Sequence, residues 1–460
     1  MSSRARFLAG STALVAAVTA GGGVRAFAAT EGRLATSPAG ALSSWITMTQ
    51  DGAVNVFTGK AEVGMGAITG LMQIVAEELD VPISRIHVTA ADTALTQDQG
   101  GVGASVSIEN GGKPLRNAAA EARRVLLAAA ATRFGVPVEQ LAVNDGVVTV
   151  SNDATRSVPY GELIAALSTD ARLTSEGESS SLDVRGAAKP KSPSEYRIVG
   201  KPVARLDIPP KAYARFQYVV DVKVPRMMHA RIVRPPGTGA RPLGYDVASL
   251  AGRGDAGVVQ IGDLLAVVAS KEWDAIAGAR ALKVRWSAPT ASFPAEASLE
   301  DTMWSTAPSS TDKPLVTGDV TAAFAGADVI DAKYLFPFQS HATMGPGCAV
   351  VDVAADGKTT VWSGGQKPHS LQLGIADLLG VKREQVRVIF VEDAGSYGRG
   401  GFDDAAAEAH LAEDRPSGAG PVDAARHDAM GTQSACHRVT FPRSPARRHD
   451  RRARFDRSRI

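Results

Sequence analysis

The chain has 460 residues, 44% hydrophobic and 21% charged, which leaves room for roughly two to four domains, is ordinary for a soluble globular protein and demands neither a fibre nor a membrane. The net charge of +2 hides an asymmetry: residues 414–460 carry eleven Arg and five Asp with no Lys or Glu, so the preceding body is mildly acidic and unsuited to nucleic acid. Two cysteines, Cys348 and Cys436, exclude a disulfide framework, a cysteine-ligated zinc site and an iron–sulfur cluster held within this chain.

Residues 1–28 read as an export signal. Arg4 and Arg6 precede an apolar run from Phe7 to Ala20, and Ala26-Phe27-Ala28 offers a small-x-small cleavage site. The run is short for a transmembrane helix, so no stable membrane insertion is expected. Ser3 to Leu8 resembles a twin-arginine signal in which Ala5 separates the two arginines, and the expected location is the periplasm or another exported compartment.

The next region, 35–176, opens with a hairpin, Trp45 to Met48 and Val54 to Phe57 about Asp51-Gly52. TGKAEVGMG then places Gly64 and Gly66 where strand gives way to helix, and Ile68, Leu71, Met72, Val75 and Leu79 form one apolar face. Glu77 and Glu78 are expected on its solvated side. Close packing and a phosphate cradle both account for the two glycines. The loop DQGGVGASVS, Asp98 to Ser107, precedes a helix expected over Leu115 to Phe134, and Asn144-Asp145-Gly146 marks a second hairpin. Three helix-to-strand steps recur, Leu79-Asp80-Val81-Pro82, Phe134-Gly135-Val136-Pro137 and Leu379-Gly380-Val381-Lys382, each leading into an apolar strand. They predict an α+β architecture with helices laid on sheets.

Residues 177–196 are Ser-, Lys- and Pro-rich and read as a linker. From 197 to 287 strands dominate, with Tyr218 to Val222, Met228 to Val233 and Ala266 to Ala269 expected as strands, a helix from Glu272 to Leu282 and a strand Lys283 to Trp286. A linker follows over 288–316. The last patterned region, 317–412, runs through Cys348 to Asp352 and Thr359 to Trp362 into the loop Ser363 to Pro368. It ends in VRVIFVEDAGSYGRGGFDDAAAEAHLA, a buried strand, a turn rich in glycine (Gly395, Gly398, Gly400, Gly401) and a helix.

Four blocks in order carry a family resemblance: GKAEVGMG…AEELDVP, RIVGKPVARLDIPPKAYARFQYVVDVKVP…MMHARIVRPP, HATMGPGCAVVDV…VWSGGQKP and AGSYGRGG. The chain resembles the large, molybdopterin-binding subunits of the xanthine dehydrogenase and aldehyde oxidase family, most closely the branch that holds the isoquinoline 1-oxidoreductase beta subunits. The resemblance implies a molybdopterin-binding domain split around an α/β hammerhead domain at 197–287. It also implies a molybdenum cytosine dinucleotide cofactor and hydroxylation of an aldehyde or N-heterocyclic aromatic with oxygen from water. By position, Gln366 would hydrogen-bond the molybdenum oxo group, Gly395, Tyr397 and Gly398 would form the loop against the metal, and Gly64, Gly66, Gly103 and Ser105 would hold pterin and phosphates. The metal would be held by the pterin and by no side chain. For Gln366 a loop amide capping the helix at His369 is the other reading.

A small partner subunit with two [2Fe–2S] clusters, followed by a cytochrome, is the expected electron path. Met65 stands where the family usually has Gln, and Gly345 where many members have Glu. The family's catalytic Glu has no counterpart, so no catalytic residue is assigned and the chain as written is expected to be inactive. Of the acids near the loops, Glu62 is expected by the cofactor phosphates, while Glu392, Asp393, Asp403 and Asp404 flank the glycine turn and cap the helix after it. Residues 413–460, crowded with Arg, Pro, Ala and Asp and without a helical or strand period, read as a disordered, out-of-frame tail. The competing function class is an exported α+β binding or structural protein without cofactor.

Overall fold

The computed structural model describes residues 39–164, 167, 171–290, 294–312, 315, 317–336, 345, 347–354, 356–393, 395–398, 404–413, 422–425 and 436–443. The export signal and Gly400, Gly401 and Asp403 therefore lie outside the described residues.

The expected first hairpin forms, with β1 (Ile46–Met48) antiparallel to β2 (Val54–Thr58) and Ile46 opposite Val56. After α1 (Ala67–Leu79), β3 (Ile86–Ala90) adds to β2 in parallel. α2 (Ser107–Phe134) then packs on α1, and the core between them and the sheet takes in Trp45, Ile46, Val56, Leu71, Val75, Leu79, Leu115 and Leu126. Each of these large side chains contributes roughly 1.5–3 kcal/mol by its removal from water. α2 begins eight residues earlier than its apolar stripe. Gly111 and Gly112 lie inside it because a Cβ there would meet the Lys60 stem at 2.8 Å and Ile74 at 2.8 Å, so only glycine lets the helix come this close.

β4 (Leu141–Asn144), β5 (Val147–Val150) and β6 (Asp153–Pro159) form a meander, with Asp145 and Gly146 both left-handed in the first turn. A short α3 (Tyr160–Ile164) and the pair β7 (Thr174–Glu176) and β8 (Asp183–Arg185) follow. The stretch after β8, read from sequence as the end of a linker, is a strap along α1 and α2. The Glu77 carboxylate accepts the N–H groups of Arg197, Ile198 and Val199 at 2.9, 2.6 and 2.9 Å, Glu78 accepts that of Lys191 at 3.0 Å, and Glu121 that of Ala188 at 2.9 Å. Glu77 and Glu78 are each 2% exposed, which corrects the expectation that they face solvent. The helix face lacking apolar residues is covered by backbone, and backbone amides need acceptors. Burial pushes the Glu77 carboxyl up, but the three amides and Lys191 outweigh it and hold the group below its ordinary range.

Beyond a helical turn, α4 (Ile208–Ala212), comes β9 (Met228–Ile232). Tyr218 to Val222, expected as a strand, is instead a 3-10 turn, closed by the Asp221 carboxylate accepting the Tyr218 N–H at 3.0 Å. β10 (Pro242–Asp246), β11 (Gly257–Ile261), β12 (Leu264–Ala269), α5 (Glu272–Ala281) and β13 (Lys283–Trp286) complete this stretch, with β10 paired to β13. A separate unit of 236–240, 288–341 and 430–460 contains α6 (Leu299–Ser305), α7 (Val320–Phe324) and β14 (Asp328–Leu335).

The first unit resumes with β15 (Cys348–Val353), β16 (Thr359–Ser363), α8 (Pro368–Leu379), β17 (Val386–Phe390) and α9 (Asp404–Glu413). Two stretches of the tail expected to lack regular structure are strands, β18 (Val422–Ala425) in the first unit and β19 (Cys436–Arg443) against β14 in the second. Backbone pairing to an open strand needs no side-chain period, which is why composition missed it. β18 sits between β9 and β15 in a seven-stranded sheet of order β11-β12-β9-β18-β15-β16-β17. Strands from 228–269 and from 348–390 thus share one sheet.

All three recurring helix ends form as the sequence implies. Asp80, Gly135 and Gly380 are left-handed, and the N–H groups of Val81, Val136 and Val381 reach the carbonyls of Ala76, Ala131 and Ala376. Those bonds close Schellman caps, and a 3-10 turn then starts each following strand.

Candidate functional site

β2 and β3 are parallel, as are β16 and β17, and the C-terminal ends of the two pairs are brought to one place. The Ala91 N–H donates to Thr58 O at 2.7 Å, Phe390 N–H to Ala91 O at 3.1 Å and Val391 N–H to Ser363 O at 3.0 Å. Asp92 seals the junction, its buried carboxylate taking the Arg387 guanidinium in a two-pronged contact of 3.0 and 2.6 Å, while Thr93 Oγ1 accepts the Val388 N–H at 2.9 Å. A small apolar cluster of Ala61, Ala91 and Val102, with Val63 and Phe390 against it, lies under the loops that leave these strands.

The first glycine turn is closed from within. Glu62 is buried, and its carboxylate accepts the N–H groups of Gly64 at 3.0 Å, Gly66 at 2.8 Å and Ile68 at 3.0 Å. It occupies the position an external anion would take at the start of α1. The amides of Gly64 and Gly66 are therefore directed at Glu62, and a bound group meets these residues only by their Cα faces. At Gly64, with φ 95°, nothing lies within 4 Å of where a Cβ would stand.

The second turn is open. Gly103, Ala104 and Ser105 are exposed, and Ala104 and Ser105 are both left-handed, with φ of 48° and 60°. No side chain caps the start of α2 behind them. Val102, just before the turn, is doubly bonded to Gln366: its N–H donates to Gln366 O at 2.9 Å, and Gln366 Nε2 donates to Val102 O at 2.8 Å. Gln366 is 7% exposed, and its Oε1 accepts the Ser396 hydroxyl at 2.8 Å. It does not cap α8, whose N-terminal boundary is Lys367 with no side-chain cap, so the alternative reading of this glutamine is set aside. The Ser396 Oγ in turn accepts the Gly398 N–H at 3.3 Å. Gly395, Tyr397 and Gly398 all have positive φ, and the Tyr397 ring, 59% exposed, lies over Gly395 where a Cβ would be 2.8 Å from it.

Sequence reasoning missed a charged group beside these turns. Lys211 donates to Asp207 and to Glu392, each at 2.7 Å, and Arg205 pairs with Asp207 at 2.6 Å while lying against Gly66. The Arg205 hydrogen bond holds the Asp207 carboxyl well below its usual range; burial pushes Glu392 up despite Lys211. The i, i+4 spacing of Asp207 and Lys211 was the available signal. Glu392 accepts Lys211 at 2.7 Å, and Asp393 accepts the Cys348 N–H at 3.1 Å. Lys60 was also missed: it is wholly buried, with its ammonium donating to the carbonyls of Gln99 and Gly101.

The structure thus brings Gly103, Ser105, Gln366, Gly395, Tyr397 and Gly398 together through Val102 and Ser396, with Gly64 and Gly66 joined to them through the apolar cluster. Among the described residues, no group of three or more His, Cys, Asp or Glu could hold a metal ion, and no helix is long and apolar enough to cross a membrane. A large organic group that carries its own metal fits the donors present: exposed backbone, a carboxamide, a hydroxyl and an aromatic ring.

Two family models match, both described as molybdopterin cofactor-binding domains, over residues 9–212 and 306–412. The chain is 38% identical to a nicotinate dehydrogenase subunit of Pseudomonas putida over 80% of its own length and 31% of that protein. It is 30% identical to the isoquinoline 1-oxidoreductase beta subunit of Brevundimonas diminuta over 77% of its length and 50% of that protein. Among solved structures it is similar to the aldehyde oxidoreductase of Desulfovibrio gigas, with TM-score 0.40 and 18% identity over 51% of this chain and 31% of that one. The chain spans between about a third and half of the length of the two curated relatives.

Proposed function

Because this chain belongs to the large, molybdopterin-binding subunits of the xanthine dehydrogenase family, we propose that it forms part of a molybdenum hydroxylase acting on an aldehyde or an N-heterocyclic aromatic. The observation that carries this reading is that the two matched segments meet at one place, where Val102 bonds Gln366 and Asp92 bonds Arg387. On this reading Gly103 and Ser105 offer backbone to the phosphates of a molybdenum cytosine dinucleotide. Gly64 and Gly66 offer their Cα faces, and Gln366, Gly395, Tyr397 and Gly398 line the metal end. When bound, the group supplies two-electron redox chemistry with oxygen taken from water. The chain's own residues would orient it.

Glu62, Glu392 and Asp393 are engaged by amides or by Lys211, so none of them is assigned as the base that takes a proton from water. These 460 residues hold two cysteines, Cys348 and Cys436, too few for an iron–sulfur cluster, and for the electron path we propose a small subunit with two [2Fe–2S] clusters, followed by a cytochrome. The arginine-led N-terminus supports export to the periplasm through a twin-arginine-like route.

Purification from the native host with associated subunits tests the proposal. Molybdenum and a pterin nucleotide are expected in proportion to this chain, with iron in the associated fraction. A monodisperse, metal-free preparation would favour a binding or structural protein without cofactor.

A further inference from the structure

Lys60 has no exposed surface, and among the described residues no carboxylate takes its charge by hydrogen bond. Its ammonium donates to the backbone carbonyls of Gln99 and, at 3.4 Å, of Gly101, and its stem is pressed against Gly111 of α2. The other face of this arrangement is held by the Gln99 side chain, whose Oε1 accepts Thr58 Oγ1 at 2.7 Å and the Gly59 N–H at 2.8 Å. Burying an ammonium is costly, and burial lowers the readiness of this lysine to hold its proton. Such a cost persists in a folded chain when the group organises something around it.

What Lys60 organises is the direction of the loop backbone. With the carbonyls of Gln99 and Gly101 drawn inward, the Val102 peptide groups are presented to Gln366 from both sides. Gln366 then receives the Ser396 hydroxyl, and Ser396 receives the Gly398 amide. A continuous run of hydrogen bonds leads from Lys60 to the Gly395–Gly398 turn, across more than 300 positions of sequence. We propose that Lys60 is a positioning residue that sets the carboxamide of Gln366 and the Gly395–Gly398 turn through the loop 99–102. Its importance for cofactor rests on the function proposed above; its control of the turn does not.

Hydrogen exchange on the purified full chain, with Lys60→Met against wild type, tests this. Loss of the ammonium is expected to speed exchange about tenfold in 99–106 and in 395–398, and to leave α1 unchanged. Uniform acceleration that includes α1 would mean a general loss of stability and would overturn the proposal, as would unchanged exchange at 395–398. If Lys60→Met does not fold, Gln366→Ala decides: faster exchange at 395–398 with α1 unchanged supports the relay, and no change there refutes it. Molybdenum per folded chain, measured in the same preparations after co-purification, is expected to fall several-fold in Lys60→Met. A wild-type chain that carries none would defeat the proposed function while the exchange result still decides the relay.

Discussion

The two glycine turns that precede α1 and α2 read alike as sequence and differ in what their amides face. At Gly64–Gly66 three N–H groups converge on Glu62, a carboxylate two residues upstream of the first glycine. At Gly103–Ser105 the backbone is left-handed at two non-glycine residues and exposed, with no side-chain cap. Glycine gives both turns the freedom to bend. Whether a turn is a closed cap or an open cradle depends on whether the chain brings its own anion.

The most consequential place to break this device is the strap, where Glu77 gathers three amides as Glu62 does. Glu77→Ala strands those amides and removes a partner from Lys191, and a loss of about 3 kcal/mol or more is expected in urea unfolding at neutral pH. Because the folded carboxyl is held below its ordinary value of 4.5, its contribution is complete above that value and fades as pH falls through the lowered one. The gap between wild type and variant should therefore close in acid; a gap that persists would show that packing, and not charge, is at stake.

An intermediate effect is expected at the closed turn. Glu62→Ala should cost about 1–3 kcal/mol and turn a closed cap into an anion site. Added sulfate or phosphate should then raise the melting temperature of the variant more than that of wild type, and equal shifts would show that Glu62 does not occupy an anion's place. The smallest effect on stability belongs to the open turn. A Cβ at Gly103 meets nothing within 4 Å, so Gly103→Ala should shift stability by under about 0.5 kcal/mol. Substitution by Leu should leave unfolding equally unchanged yet lower the pterin content of co-purified protein.

Most of the regular structure near the site was legible because its signals are local. The Asp51-Gly52 hairpin, the face of α1 and the three Schellman ends depend on neighbours within a few positions. Glu77 and Glu78 were misplaced because the backbone amides they accept sit more than 110 positions away, in and just after a segment whose composition reads as linker. Lys60 and Glu392 have no local pattern either: the first is met by the carbonyls of Gln99 and Gly101, the second by the Lys211 side chain. Gln366 was singled out by resemblance, but its two hydrogen bonds with Val102 have no trace in either local pattern. Tyr218 to Val222 shows the reverse error, an apolar alternation overruled by one aspartate that closes a turn.

The Asp92–Arg387 pair also carries a timetable. The large core around α1 and α2 is built from residues that precede position 200, so it can assemble while the chain is still being made. Local hydrogen bonds shape its loop at Asp92, but the guanidinium that pairs with the Asp92 carboxylate, Arg387, arrives 295 positions later. At cellular synthesis rates of about 5–20 residues per second, that is a wait of about 15–60 s. Over that interval the loops of the N-terminal half stand without the backbone that will pin them, and the site is among the last parts of this unit to set.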